Sequence, residues 1–178
     1  MKKYHNTMEN DPINKAASEI KWMDQTAINE IPLNRILKPY IRQAKYYETD
    51  QMAVIHHSNY IRWFEEARVD YLEQIGLGYD KIEAEGIYSP VLGVSCEYRA
   101  SVRFNETVII KVKLKAFNGI KMKLEYQVTD AQTKQLRATG LSEHCFVSTD
   151  FKPVSLKRNF PEMYETIIKW VNIEMCDE

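Results

Sequence analysis

The sequence predicts an α+β fold in which an antiparallel sheet of about five strands wraps around one long helix. Apolar residues recur at helical spacing between Asn59 and Ile75, as expected for a helix with a wide buried face. From Val94 onward, apolar and polar residues alternate in segments joined by short turns, which is typical of consecutive antiparallel strands. A chain of 178 residues is long enough to bury the resulting core without disulfides or metals.

The first half of the chain is predicted to form one strand and two helices. Aromatic and β-branched residues mixed with polar ones suggest a strand between Pro39 and Glu48. Asn59 is the expected N-cap of the long helix, and Gly76 closes that helix in the manner of a Schellman motif. A shorter helix over residues 79–85 is expected to stop at Gly86.

The second half is predicted to form four antiparallel strands and a terminal helix. A turn at Asn118-Gly119 separates two of the strands, and the last strand is expected over Leu141–Val147. The terminal helix is predicted over Phe160–Val171, opened by Asn159. The alternating apolar positions of the first three strands are Val94, Cys96 and Tyr98, then Val108, Ile110, Val112 and Leu114, then Met122, Leu124, Tyr126 and Val128.

The chain divides into three segments. Residues 1–35 are polar and weakly patterned, which indicates an N-terminal extension. Residues 36–158 hold the long helix and the strands, and residues 159–178 are expected to form a C-terminal helix that packs on this domain. Such a sheet leaves an apolar face or edges that need a second subunit, so a homodimer or homotetramer is expected.

Composition and charge argue against several kinds of partner. A formal net charge of −1 argues against nucleic acid as the main partner. The sequence has no run of the ~20 apolar residues that a membrane span needs, so no span is expected. The three scattered cysteines form neither a disulfide framework nor a zinc motif, so a cytoplasmic location is expected. Between Glu97 and Arg137, nine Lys or Arg stand against four Asp or Glu. This local excess fits either solvated strand and helix faces or a basic rim for a phosphorylated ligand.

The segment from Tyr46 to Arg68 carries the strongest functional signal. It sets Asp50 seven positions ahead of His57, and His57 lies where the long helix begins. A helix N-terminus presents unpaired N–H groups and about half a positive charge. A carboxylate and a helix N-terminus can therefore be aimed at one polarised carbonyl, which is the arrangement that acyl transfer uses.

The same segment resembles a known family. Together with the order of elements, ETDQMAVIHHSNYIRWFEEAR resembles the hotdog-fold acyl-CoA thioesterases of the hydroxybenzoyl-CoA thioesterase type, whose signature runs roughly E-T-D-x-x-G-V-V-x-H-x-N-Y-x-R-W-F-E-x-A-R. The resemblance covers Tyr40 to about Leu156. Two positions depart from the family pattern: Ala53 replaces the usual glycine, and Ser101 stands where a proline is common. A positive φ at Ala53 would be strained.

The resemblance implies a hydrolase that cleaves acyl-CoA thioesters to a carboxylic acid and free CoA, with no cofactor. It assigns Asp50 as the catalytic carboxylate, acting as nucleophile or as general base for water. The backbone N–H at His57 would stabilise the oxyanion that forms as the thioester carbonyl is attacked. Adjacent histidines in an extended segment point to opposite sides, so His56 and His57 are not expected to hold a metal.

Four further residues are candidate substrate-binding residues. Asn59 and Tyr60 open the long helix, where Asn59 could instead act as a helix cap and Tyr60 as part of the core. CoA is anionic and needs Lys or Arg near its phosphates. Arg99 and Arg103 are the main candidates for this contact, with the pair Lys121 and Lys123 as further ones.

Two alternatives to an acyl-CoA thioesterase remain open. The same hydrolysis could act on acyl-carrier-protein thioesters, because a basic surface also suits an acidic carrier helix. A non-enzymatic hotdog protein could bind acyl-CoA as a sensor, although such a protein can dispense with the carboxylate that Asp50 supplies. Glu65 and Glu66 lie on the same helix and are interpreted as a solvated or ion-paired face.

Overall fold

The computed structural model describes residues 37–176. Seven strands are β1 (Tyr40–Gln43), β2 (Ile87–Tyr88), β3 (Val91–Tyr98), β4 (Thr107–Phe117), β5 (Lys121–Asp130), β6 (Leu136–Cys145) and β7 (Val147–Ser148). Four helices are α1 (Ser58–Gln74), α2 (Tyr79–Ala84), α3 (Leu156–Asn159) and α4 (Pro161–Ile168). A single 3-10 turn, Tyr46–Glu48, lies between β1 and α1.

Five strands form one antiparallel sheet in the order β1-β4-β5-β6-β3, and β2 pairs with β7 in a separate ribbon. Helix α1 packs on this sheet, in contact with β1, β3 and β4. Its buried face includes Trp63, Phe64 and Tyr71, all at most 2 % exposed. The Phe64 ring stacks on Tyr126 of β5 with the ring centroids 4.4 Å apart. The predicted α+β fold, a sheet of five strands around one long helix, is thereby confirmed.

The C-terminal end of α1 follows its predicted motif. Gly76 has a φ of 86°, which glycine adopts without steric conflict. The Leu77 amide donates to the Leu72 carbonyl at 2.8 Å, and the Gly76 amide donates to the Glu73 carbonyl at 2.9 Å. These are the two hydrogen bonds of a Schellman motif, so this prediction is confirmed.

The predicted N-cap of α1 is wrong. The helix begins at Ser58, and His57 occupies the cap position with helical backbone angles. Asn59 lies inside the first turn, where its side-chain amide donates to the Glu48 carbonyl at 2.9 Å instead of capping the helix. The His56 ring takes the capping role, since its Nδ1 accepts a hydrogen bond from the Ser58 amide at 3.3 Å.

Three other predicted boundaries differ from the structure. The first strand ends at Gln43 because the chain turns into the 3-10 segment. The last strand of the sheet begins at Leu136, five residues before its predicted start, and pairs with both β5 and β3. The terminal helix runs from Pro161 to Ile168 and ends three residues before its predicted end, and its N-cap is not Asn159 but Phe160, whose φ of −140° and ψ of 66° are not helical. A residue before proline is disfavoured in the α conformation, and Pro161 follows directly.

The two edges of the sheet differ. β1 pairs only with residues 107–110 of β4. Further along β4, the edge is covered by C-terminal residues, where the Asn172 amide donates to the Leu114 carbonyl at 2.8 Å. On the other edge, β3 exposes three large apolar side chains, Val91, Leu92 and Val94, each at least 44 % accessible.

The helical C-terminal segment packs on the same core as α1. Leu156, Tyr164 and Ile167 are buried within the cluster of apolar side chains that surrounds α1. No helix in residues 37–176 is long and apolar enough to cross a membrane. The extension predicted for residues 1–35 lies outside the described residues.

Candidate active site

Asp50 is held in a tight loop before α1. A backbone bridge between Thr49 and Ile55 closes the loop. The Met52 amide donates to Asp50 Oδ1 at 2.8 Å, and the Ala53 amide donates to the Asp50 carbonyl at 3.0 Å. Ala53 has a φ of 57°, so the strained conformation considered from the sequence is present. The loop therefore fixes the Asp50 carboxylate through one oxygen, and Oδ2 meets no donor among residues 37–176.

The amide of His57 is the free donor at the start of α1. The next three amides have protein acceptors: Ser58 donates to His56 Nδ1, Asn59 to the His56 carbonyl and Tyr60 to the His57 carbonyl. Within the described part of the chain, the His57 amide donates to no protein group. His57 itself is exposed. An N–H with no protein partner at the positive end of a 17-residue helix is suited to bind an oxyanion.

The carbonyl of Glu48 holds the Asp50 loop against the helix. It accepts hydrogen bonds from the His56 amide at 2.8 Å and from the Asn59 side chain at 2.9 Å. Asp50 lies two residues along the chain from this carbonyl, and His57 follows directly after His56, so both residues flank the same hydrogen-bonded loop.

The side chain of Glu48 anchors this arrangement from below. It is only 2 % exposed. Its Oε1 accepts from Arg42 Nη2 at 2.5 Å and from the Trp63 indole at 2.8 Å, and its Oε2 accepts from the Lys45 amide at 2.7 Å. A buried carboxylate with three donors links β1, the 3-10 turn and α1.

Tyr60 and Tyr98 form the wall beside the helix N-terminus. The Tyr98 hydroxyl, from β3, donates to the His57 carbonyl at 3.1 Å. The Tyr60 ring packs edge-on against Tyr98 with the centroids 5.2 Å apart. Burial raises the pKa of Tyr60 to about 12, and partial desolvation together with the neighbouring Cys96 thiol raises the pKa of Tyr98 to about 12, so both hydroxyls stay protonated. Substrate binding by Asn59 and Tyr60 stays a prediction, and both side chains are buried.

Arg99 and Arg103 lie in the loop that follows β3. Between them, the Val102 carbonyl accepts a hydrogen bond from the Ile55 amide at 2.8 Å, so this loop runs beside the Asp50 loop. Both arginines are exposed. The Arg99 guanidinium is paired with Glu97, which is also exposed, so that pair is solvated.

The other two candidates, Lys121 and Lys123, lie far from the loop that carries Arg99 and Arg103. They begin β5, whose other end, Asp130, lies near the loop after β3. Nine residues of strand separate Lys121 from Asp130, which is about 30 Å. Lys123 also pairs with Glu143 at 2.5 Å. The loop that carries Arg99 and Arg103 therefore runs beside the Asp50 loop, and the two lysines lie at the far end of the sheet.

Sequence reasoning missed two residues of this site, Glu48 and Tyr98. The E-T-D triplet contains Glu48, but its burial depends on tertiary contacts that no local pattern shows. The rings of His56 and His57 lie side by side with centroids 4.0 Å apart. Among residues 37–176, no group of three or more His, Cys, Asp and Glu side chains is placed to hold a metal ion.

A family model matches most of this chain. The model of the Thioesterase-like superfamily matches residues 45–171, which include the Asp50 loop, α1 and the whole sheet apart from β1. The chain belongs to this superfamily. The resemblance predicted from the sequence is therefore confirmed at the level of the family.

Members of the thioesterase-like superfamily in several bacteria resemble this chain. The Bacillus subtilis protein YneP, which carries a provisional acyl-CoA thioesterase name, is 29 % identical over 123 residues, covering 68 % of this chain and 88 % of YneP. The acyl-CoA thioester hydrolase YbgC of Escherichia coli is 24 % identical over 115 residues, covering 64 % of this chain and 86 % of YbgC. The structure of DHNA-CoA thioesterase from Staphylococcus aureus superposes with a TM-score of 0.71 at 34 % identity, covering 74 % of this chain and 89 % of that protein.

Proposed function

We propose that this protein is a hydrolase that cleaves acyl-CoA thioesters to a carboxylic acid and free CoA. Two observations support the proposal: the Asp50 carboxylate accepts from the Met52 amide in the loop before α1, and the His57 amide donates to no protein group among residues 37–176. The relatives named as acyl-CoA thioesterases support the same reaction class.

The thioester carbonyl oxygen binds the His57 amide, which the N-terminal dipole of α1 supports. Asp50 attacks the carbonyl carbon as nucleophile, or removes a proton from a water that attacks it. The negative charge that develops on the oxygen is stabilised by an N–H that needs no reorganisation, because the Glu48 carbonyl fixes the adjacent His56. Collapse of the intermediate expels the CoA thiolate. In the nucleophile route, water then hydrolyses the acyl–Asp50 anhydride.

Release of free thiol from a panel of acyl-CoAs tests the proposal. Asp50→Asn keeps an oxygen to accept from the Met52 amide but removes the charge, so the loop should persist. We expect kcat/KM to fall by roughly a hundred- to ten-thousand-fold with the melting temperature unchanged. Asp150→Asn, at an exposed turn, is the matched control and should keep full activity. Full turnover by Asp50→Asn would contradict the mechanism.

Arg99 and Arg103 are proposed to bind the CoA phosphates. Replacing both with glutamine should raise KM for acyl-CoA but not for the matching acyl-pantetheine, which lacks the nucleotide. A raised KM for both substrates would assign the arginines to another role.

Comparing kcat/KM for matched acyl-CoA and acyl-carrier-protein substrates separates the proposed activity from carrier-protein hydrolysis.

A homodimer, or a homotetramer built from such dimers, is proposed as the working form. The exposed apolar side chains of β3 are the surface that a second copy would cover. Light scattering on the protein and on a Val94→Lys variant tests this, because a buried lysine would break such a pair.

A cytoplasmic location is also proposed, since all three cysteines, Cys96, Cys145 and Cys176, are free thiols.

A further inference from the structure

Helix α1 carries a buried positive charge that the reaction does not use. Arg68 is only 5 % exposed. Its guanidinium donates to the Tyr79 hydroxyl and lies over the Tyr79 ring, 5.4 Å from the centroid. Among the described residues, no carboxylate lies within 4.0 Å of this guanidinium. Buried charges in proteins are ordinarily paired, so an unpaired one indicates a missing partner.

A small cavity of about 50 Å³ adjoins Arg68. Its lining combines apolar residues, among them Ile61, Phe64 and Val94, with the polar residues Arg68, Ser142 and His144. Ser142 is 4 % exposed and His144 is 1 % exposed. A volume of this size holds a few non-hydrogen atoms, and the polar side chains in its lining can receive them.

Polar side chains adjoin the Arg68 guanidinium, which has five N–H donors and no acceptor. Its Nη1 lies 3.4 Å from His144 Nδ1. His144 Nε2 lies 2.8 Å from Ser142 Oγ, which in turn lies 2.8 Å from the Tyr126 hydroxyl. Burial, together with the Arg68 charge, lowers the pKa of His144 to about 4, so the ring adds no second charge. The guanidinium therefore has N–H groups left for an acceptor in the cavity.

The cavity lies along α1 from the proposed reaction centre. His57, Ile61, Phe64 and Arg68 are spaced by four, three and four residues and so share one helical face. Eleven residues of helix span about 16 Å, and the Arg68 side chain leans back toward the helix N-terminus. An acyl group whose carbonyl is at the His57 amide would bring its far end to this cavity at a length of about eight to ten carbons.

We propose that this cavity, built by Arg68, Ser142, His144 and Tyr126, binds the far end of the acyl group and selects acyl groups that carry a hydrogen-bond-accepting oxygen there. This inference rests on the proposed thioesterase function and names its substrate class. A hydroxyl or a carboxylate would each accept from Arg68. Glu65 also lines the cavity, but it is exposed, so solvent screens its charge.

Three CoA thioesters of equal chain length test the inference: octanoyl, 8-hydroxyoctanoyl and 7-carboxyheptanoyl. We expect kcat/KM for at least one oxygen-bearing substrate to exceed that for octanoyl by tenfold or more, since a site built for a polar group discriminates strongly against its absence. The hydroxyl and carboxylate arms show which oxygen is preferred. Equal or faster hydrolysis of octanoyl-CoA would overturn the inference and leave the thioesterase function intact. Absence of thiol release from any acyl-CoA would overturn both.

Variants separate recognition from structural support. The quantity to compare is the kcat/KM for the preferred oxygen-bearing substrate divided by the kcat/KM for octanoyl-CoA. This ratio should fall toward one in each of three variants, Ser142→Ala, Tyr126→Phe and Arg68→Met. Thr139→Ala, on the same strand but pointing to the other face of the sheet, is the matched control and should leave the ratio unchanged. If Arg68→Met fails to fold, the two milder variants decide. A purely structural role would lower both rates equally, so an unchanged ratio in those variants would contradict the inference.

Discussion

Glu48→Gln is the most informative substitution outside the proposed reaction centre. It keeps the size of the side chain and removes its charge. One amide oxygen can still accept from Arg42 and Trp63, as Oε1 does now at 2.5 and 2.8 Å. The new amide nitrogen, however, faces the Lys45 amide, which now donates to Oε2 at 2.7 Å. The Lys45 amide and the new side-chain amide then face each other as two donors without an acceptor. The buried ion pair between Glu48 and Arg42 becomes a hydrogen bond to a neutral amide.

The expected loss of stability follows from these contacts. An unsatisfied buried amide costs about 1–3 kcal/mol. Weakening the charge-assisted bond to Arg42 adds about 1 kcal/mol, limited because Arg42 keeps Glu66 as a second partner at 3.2 Å. We therefore expect the free energy of unfolding to fall by about 2–4 kcal/mol in urea at neutral pH. Glu66→Gln is the matched control, since it removes a carboxylate from the same arginine at a site 38 % exposed, and should lose less than about 1 kcal/mol.

Activity gives the second measurement for Glu48→Gln. The Glu48 backbone carbonyl holds His56 and Asn59, so a shift of this residue displaces Asp50 relative to the His57 amide. We expect kcat to fall at least about tenfold at a temperature where the variant is fully folded. Stability equal to that of Glu66→Gln, or an unchanged kcat, would refute the anchoring role.

Three further substitutions test the backbone of the site and the core. Ala53→Gly should raise the free energy of unfolding by about 0.5–1 kcal/mol, because relief of the strained φ of 57° outweighs the added freedom of the unfolded chain. Ala100→Gly, outside the positive-φ positions, should lower it by a similar amount, and the reverse order would contradict the strain. Gly140→Ala places a Cβ 2.3 Å from the Phe64 ring and should cost about 1–3 kcal/mol in the same urea titration.

Features that depend on local chemistry were predictable from the sequence. Gly76 marks a left-handed position at a helix end, and the bonds that follow join residues at most five apart. The long strands were readable because each has one buried face, which enforces alternation. The Asn118-Gly119 turn is likewise local, since Gly119 has a φ of 86° and the Asn118 side chain accepts from the Lys121 amide at 2.8 Å.

Features set by distant contacts were not predictable. Asn59 has the right side chain for an N-cap, but its side-chain amide donates instead to the backbone carbonyl of Glu48, eleven residues earlier. The roles of Glu48 and of Arg68 depend on burial that only the packed sheet creates. The pairing of Asp50 with His57 is proposed from a family signature, and the bridge between Thr49 and Ile55 that closes their loop is a contact that local periodicity does not encode.

The unequal borders of the sheet limit how copies of this chain can associate. One border ends in β1 and the C-terminal residues, so within residues 37–176 only β3 offers a long run of unoccupied backbone N–H and C=O groups. Two molecules meeting through that strand would use up both binding surfaces at once. Strand-by-strand addition would then stop at a closed pair and could not propagate into a filament.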